Sequence, residues 1–280
     1  MAKSAPVISF EYFPPRTEEG RSKLLAQTTP ALNKLGPSFF SVTYGAGGST
    51  RDRTLDLVGA LVEGGVTAAP HLSFGADDAA VIISLLERYR AMGVTRLVAL
   101  RGDMPSGMGG PRTLVYANEL VAFIRARTGD HFHIEVAAYP EIHPQAKNYD
   151  SDVKFLRAKF DAGANSAITQ YFYNVDAYFY FLDRCLDAGI TQPIVPGIMP
   201  ITNYENLARF SNNCGAEIPR WVRRRIEGFG DDVESLRKFG IDVVSQLCQT
   251  LLDNGAPGIH FYTMNQTEPT RAIYHNLGLR

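Results

Sequence analysis

A chain of 280 residues, 45% hydrophobic and 20% charged with a formal net charge of −1, has the composition of an ordinary globular protein. That balance offers no electrostatic case for a nucleic-acid or anionic-membrane partner. Cys185, Cys214 and Cys248 are too widely spaced for a CxxC pair, which argues against a disulfide framework or structural zinc and suits a reducing cytoplasm.

The N-terminal "MAKSAPVISF" has no apolar signal core, and no run of about 18 apolar residues occurs, so neither secretion nor a membrane span is expected. The first element then raises a chemical question. "VISFEYF" (7–13) reads as a strand stopped by two prolines, yet Glu11 sits inside it. An ionised carboxylate in an apolar setting costs several kcal/mol unless paired, so a raised pKa or a dedicated partner is expected.

Further β-rich runs follow: "FFSVTYG" (39–45), "TAAPHLS" (67–73), "TRLVALRG" (95–102), "FHIEVAAYP" (132–140), "NSAITQYF" (165–172), "IVPGIMP" (194–200) and "GIHFYTMN" (258–265). Few alternate against a polar face, as expected of parallel strands covered by helices. Between them lie amphipathic segments. "DDAAVIISLLERYRAMG" (77–93) has an acidic start and a glycine stop. "VDAYFYFLDRCLDAG" places Tyr178, Phe181, Leu182, Cys185 and Leu186 on one stripe, with Gly189 to close the helix. The gap before the last strand holds "TNYENLARFSNN" and "EIPRWVRRRIEGF", which predict extra helices. Eight strands alternating with helices, without a polar linker, predict a single (β/α)8 TIM barrel over residues 1–280, with extra helices between strands seven and eight. An open doubly wound sheet is the rival, but "GAGGST" breaks the G-x-G-x-x-G pattern at Thr50 and no Walker A sequence occurs.

A barrel draws its catalytic groups from the C-terminal ends of its strands. Those ends carry Glu11, Thr43, His71, Arg101, Asp103, Tyr139, Gln170 and Tyr262. Singly, each has a plain explanation: Thr43 satisfying a backbone group, His71 a hydrogen-bonded core histidine, Asp103 a turn cap. Together they predict a shared pocket. "HFH" puts His131 and His133 on one side of a strand, but at its start, the stability face of a barrel. No strand end offers a Schiff-base lysine, and no G-x-S-x-G elbow occurs. "GAGGSTRDRT" (45–54) and "RGDMPSGMGG" (101–110), with Arg51, Arg53 and Arg101, suit either phosphate binding or a surface loop.

In this order, "SFEYFPPR", "SVTYGAGGSTRDRT", "AAPHLS", "VALRGD", "AAYPEIHP", "DAGANSAITQYF", "PGIMPITNY" and "HFYTMN" resemble the bacterial-type methylenetetrahydrofolate reductases from end to end. The resemblance implies FAD as cofactor, NADH or NADPH as reductant, methylenetetrahydrofolate as second substrate, a ping-pong cycle and a homo-oligomer. It also implies a form without the regulatory half of the eukaryotic enzymes. Glu11 matches the family's general acid for N10, with burial expected to raise its pKa toward neutrality. Asp103 matches an acidic residue beside flavin and pterin, Gln170 and Phe210 match contacts to either substrate, and Tyr262 is taken with them as substrate-binding. Thr43, Tyr44, Ala46, His71, Arg101, Gly102, Tyr116, Ala117, Tyr139, His143, Asp152 and Lys159 match FAD contacts, although periodicity alone makes Lys159 a solvated helix charge. Phe155 and Ala158 replace polar or basic cofactor contacts, and Asn206 and Gln266 replace a glutamine and an arginine. Two other readings are a flavin barrel of the proline dehydrogenase type, against which Glu11 followed by "PPR" argues, and a non-catalytic folate-binding barrel, against which Glu11, Asp103 and Gln170 together argue.

Overall fold

The computed structural model describes residues 5–45, 50–74, 78–101 and 116–279. Its strands are β1 (Val7–Tyr12), β2 (Phe39–Val42), β3 (Ala68–Leu72), β4 (Arg96–Ala99), β5 (His133–Ala138), β6 (Ser166–Thr169), β7 (Ile194–Val195), β8 (Gly197–Ile198) and β9 (Gly258–Tyr262). All pair in parallel, in the order β7-β6-β5-β4-β3-β2-β1-β9-β8. The predicted seventh strand is thus two short pieces around Pro196, which has no N–H to donate to a ladder. One piece pairs with β6 and the other with β9, so this broken strand brings the sheet round into a nearly closed barrel.

The helices ahead of the midpoint are α1 (Glu18–Lys23), α2 (Thr29–Asn33), α3 (Arg51–Glu63), α4 (Ala79–Ala91) and α5 (Ala117–Thr128). The rest are α6 (Tyr149–Asp161), α7 (Val175–Asp187), α8 (Tyr204–Cys214), α9 (Arg220–Glu227), α10 (Val233–Asp253) and α11 (Glu268–Asn276). Helices α8 to α10 fill the gap before the last strand, as predicted. A π turn at Leu24–Thr28 joins α1 to α2. It widens the backbone ahead of Pro30, whose ring would clash with the Ala26 carbonyl in a regular helix. On α4, Asp78 caps the N-terminus by accepting the Val81 N–H at 2.9 Å. On α7, Tyr178, Phe181 and Cys185 are buried as expected, but Leu186 is 62% exposed. That residue lies at the edge of the stripe, beyond the sheet's reach.

Strand alternation divides the apolar residues into two cores. Ile8, Phe10, Tyr12, Phe40, Val42, Leu97, Ile134 and Phe261 face outward into the helical jacket. Phe10 meets Phe40 and Phe261 at ring separations of 5.4 and 6.0 Å. Burying each such ring contributes about 1.5–3 kcal/mol. Facing inward, Phe39, Ala69, Val98 and Ile168 form a small separate core across the barrel. Below it, Arg96 pairs with Glu135, which also accepts from Ser166, and the Arg96 guanidinium lies 4.6 Å over Phe39. His133 Nε2 is 2.7 Å from Ser166 Oγ, and His131 Nε2 is 3.1 Å from the Val94 carbonyl oxygen. The "HFH" histidines therefore belong to the lower end of the barrel. Above the apolar layer, the same inward alternation presents Glu11, His71, Gln170 and Tyr262 to the mouth.

Candidate active site

Parallel pairing sets Ser9 beside His260 and Glu11 beside both Ser41 and Tyr262. Inside the barrel this register gathers a polar cluster around one carboxylate oxygen. His71 Nε2 lies 3.2 Å and His260 Nε2 3.6 Å from Glu11 Oε2, and Ser41 Oγ donates to it at 3.4 Å. Ser9 Oγ sits 2.7 Å from His260 Nδ1 and fixes that ring from behind. Both imidazoles turn Nε2 toward this oxygen, and their contacts favour the ionised carboxylate although neither has ideal hydrogen-bond geometry.

Burial raises the Glu11 pKa, but His260 and His71 together outweigh it and hold the carboxyl at about 2. The expected shift toward neutrality is thereby corrected. The sequence showed the burial but not the second imidazole. His260 lies within the quoted strand "GIHFYTMN", two residues before Tyr262, and strand alternation was the signal that could have found it. Ser9 and Ser41 were missed for the same reason.

Glu11, His71, Gln170, Phe210 and Tyr262 line one cavity of ≈ 580 Å³, with Tyr139, Met199 and Met264 among its other walls. The Tyr262 hydroxyl donates to the Thr169 carbonyl at 2.6 Å, and burial holds its pKa well above the usual phenol value. Gln170 is braced through Oε1, which accepts the Tyr171 N–H at 3.0 Å.

A second cavity of ≈ 450 Å³ shares Leu100, Ala137 and Tyr139 with the first, so the two are adjoining lobes. Its walls include Tyr44, Arg101, Tyr116, Ala117, His143, Asp152, Phe155 and Lys159. Lys159 turns inward and donates to the Ala137 carbonyl at 2.7 Å. Burial pushes its ammonium down to about 8, with Asp152 opposing that shift and Arg101 adding to it. Asp152 accepts the His143 N–H at 2.8 Å, and burial raises its own pKa. Two cations, Arg101 and Lys159, beside the single carboxylate of Asp152 leave a surplus of positive charge, which fits an anionic group such as a diphosphate.

Of the remaining predicted site residues, Thr43 lines neither lobe; its carbonyl accepts from Thr54 Oγ1 at 2.9 Å. Arg53 faces a different cleft, with Arg16, Arg21 and Arg88. Ala46, Gly102 and Asp103, together with residues 46–49 of the first glycine-rich loop and 102–110 of the second, lie outside the described residues. No group of His, Cys, Asp and Glu suited to a metal ion occurs among the described residues. Nor is any described helix long and apolar enough to cross a membrane.

Residues 1–278 match the family model for methylenetetrahydrofolate reductase. The chain is 40% identical over 274 residues to 5,10-methylenetetrahydrofolate reductase of Escherichia coli (strain K12), covering 98% of this chain and 91% of that protein. It is 38% identical to methylenetetrahydrofolate reductase (NADH) 1 of Zea mays, covering 97% of this chain and 48% of the maize protein. Among solved structures, an uncharacterized Clostridium thermocellum protein that binds two copies of 5-methyl-5,6,7,8-tetrahydrofolic acid shares the fold. Its TM-score is 0.68 at 17% identity, over 98% of this chain and 94% of that one. The chain belongs to the methylenetetrahydrofolate reductase family.

Proposed function

We propose, from membership of this family, that the chain reduces 5,10-methylenetetrahydrofolate to 5-methyltetrahydrofolate. The electron source is NADH or NADPH and FAD is the resident hydride carrier, with the two substrates using the larger lobe in turn. One observation carries the chemistry: a carboxylate between two imidazoles, at a mouth where an aromatic lobe adjoins a cationic one. The residues present fit a flavin dinucleotide. Arg101 and Lys159 would hold its phosphates, and Tyr139 stands where the two lobes meet.

Opening the imidazolidine ring of the folate requires a proton at N10. Held at about 2, the Glu11 carboxyl is ionised at neutral pH, so the proton has to come through the facing imidazoles. Excluding water penalises a carboxylate–imidazolium pair more than the neutral acid–imidazole pair. A folate covering the mouth therefore drives the proton onto Glu11, from which N10 receives it. General acid catalysis of this kind is worth about 10²–10⁴ in rate. Gln170 can hydrogen-bond either the pterin or the carboxamide of a nicotinamide, and Phe210 offers a face for either ring.

The test is an anaerobic absorption experiment on the purified protein. A flavin spectrum that bleaches with NADH or NADPH and returns with methylenetetrahydrofolate supports both half-reactions. A protein that takes up no FAD, or a reduced flavin that folate leaves bleached, overturns the reading.

A further inference from the structure

Helix α9 and the turn beyond it, residues 220–232, line neither lobe. The helix turns Val222 and Ile226 inward and leaves Arg220, Trp221, Arg223, Arg224 and Arg225 exposed. Trp221, the only tryptophan in the chain, is 58% exposed. Its ring makes an edge contact with Phe239 of α10 at 6.2 Å, and Phe239 in turn meets Phe229 at 5.6 Å. The Arg225 guanidinium lies 5.3 Å over the Phe229 ring. An aromatic group half open to solvent and rimmed by arginine has the make-up of an interface centre.

The charges along this segment are ordered. Arg220, Arg223, Arg224 and Arg225 come first, and Glu227, Asp231 and Asp232 follow. About Ile226 the order is antisymmetric: Arg225 mirrors Glu227, and Arg220 mirrors Asp232. Little of this charge is matched within the chain. Arg224 approaches Glu227 at 3.7 Å, and Asp232 caps α10 by accepting the Ser235 N–H at 3.0 Å. Arg220, Arg223 and Asp231 have no ion pair among the described residues. A segment basic at one end and acidic at the other is complementary to its own reversed copy, as a two-fold contact requires. We propose that residues 220–232 form a self-complementary surface on which a second copy of this chain docks, antiparallel, about a two-fold axis beside Ile226. The arginines of each copy then meet the acids of the other, and the two Trp221 rings flank the axis and lose their exposure. A parallel docking would set arginine against arginine, and a wholly acidic partner would set like charge against Asp231 and Asp232.

Sedimentation velocity on the full chain tests this with two double variants. Arg220→Glu with Arg225→Glu reverses the basic end; Glu227→Arg with Asp231→Arg reverses the acidic end and spares the Asp232 cap. Each alone opposes like charges and should weaken one association step by at least about 10-fold. An equimolar mixture of the two should regain that step, because every cross-pair is again of opposite sign. Trp221→Ala should weaken the same step by about 30-fold or more. Raising salt from about 0.05 to 1 M should weaken it in the unaltered chain, a measurement that needs no variant. An unaltered chain that is monomeric, or whose association ignores salt, overturns the proposal. So does a pair of reversal variants, each with its thermal melt intact, that assemble like the wild type or fail to reassociate when mixed.

Discussion

Among the described residues, two carboxylates carried on strands, Glu11 and Glu135, point into this barrel, and their partners give them different characters. Glu135, at the lower end, would be raised by burial, but His133, Ser166 and the permanently charged Arg96 hold it below its ordinary value. Glu11, at the mouth, faces two histidines and the Ser41 hydroxyl. Arg96 keeps its charge at any ordinary pH and pairs Glu135 with a permanent cation, whereas no arginine or lysine among the described residues pairs with Glu11. In Glu11→Gln the amide keeps the shape and loses the acid. Flavin reduction by NADH should then proceed within a few-fold of wild type, while folate reduction falls by about 10²–10⁴. Stopped-flow measurement of the two half-reactions checks this, and equal losses in both would remove Glu11 from the role of acid.

At the scale of elements, the broken seventh strand is stitched tightly to its neighbours. Gly197 N–H donates to Thr169 Oγ1 at 2.9 Å, and a Cβ on Gly197 would come within 2.1 Å of the Thr169 carbonyl oxygen and 2.7 Å of the Tyr262 ring. Gly197→Ala should therefore cost at least about 1–3 kcal/mol and displace Tyr262 from the larger lobe, as thermal melts and folate binding would register together. The loop after β5 offers a pH test. Burial pushes the Glu141 carboxyl up to about 7, while its Oε2 accepts the Glu217 N–H at 2.7 Å. Its folded value lies above the unfolded one, so the stability it contributes is complete below about pH 4.5 and is lost as pH rises through 7. Glu141→Gln should flatten the decline of Tm across that window.

The strands were legible because each is a short apolar run between turn signals. Their ends were legible because polar side chains there had no other use. Less legible was whatever depended on which face a residue takes after the strands close. Periodicity made Lys159 a solvated charge, yet α6 turns it into the lobe. His260 looked like part of a strand until parallel register set its neighbour Ser9 behind it and Glu11 within reach. Phe155, read as the loss of a polar cofactor contact, places a ring beside Tyr116.

For the whole molecule, the two lobes should respond to different pH ranges. Lys159 loses its proton as pH rises through about 8, so cofactor affinity should weaken above that value and hold steady below it. Flavin retention measured from pH 6 to 9.5 tests this, and Lys159→Met should abolish the dependence. The lobes also differ in their origin along the chain. The walls of the cationic lobe come from residues 44–159, whereas the acid centre joins Glu11 on the first strand to His260 on the last. A ribosome that has released residue 159 has delivered every wall of the first lobe, but roughly a hundred further residues, about 5–20 s of synthesis, separate it from the second. A nascent chain can therefore have the makings of a cofactor seat while Glu11 still lacks an imidazole from the far end. Assembly of the Glu11 cluster is thereby tied to synthesis of the strand that carries His260.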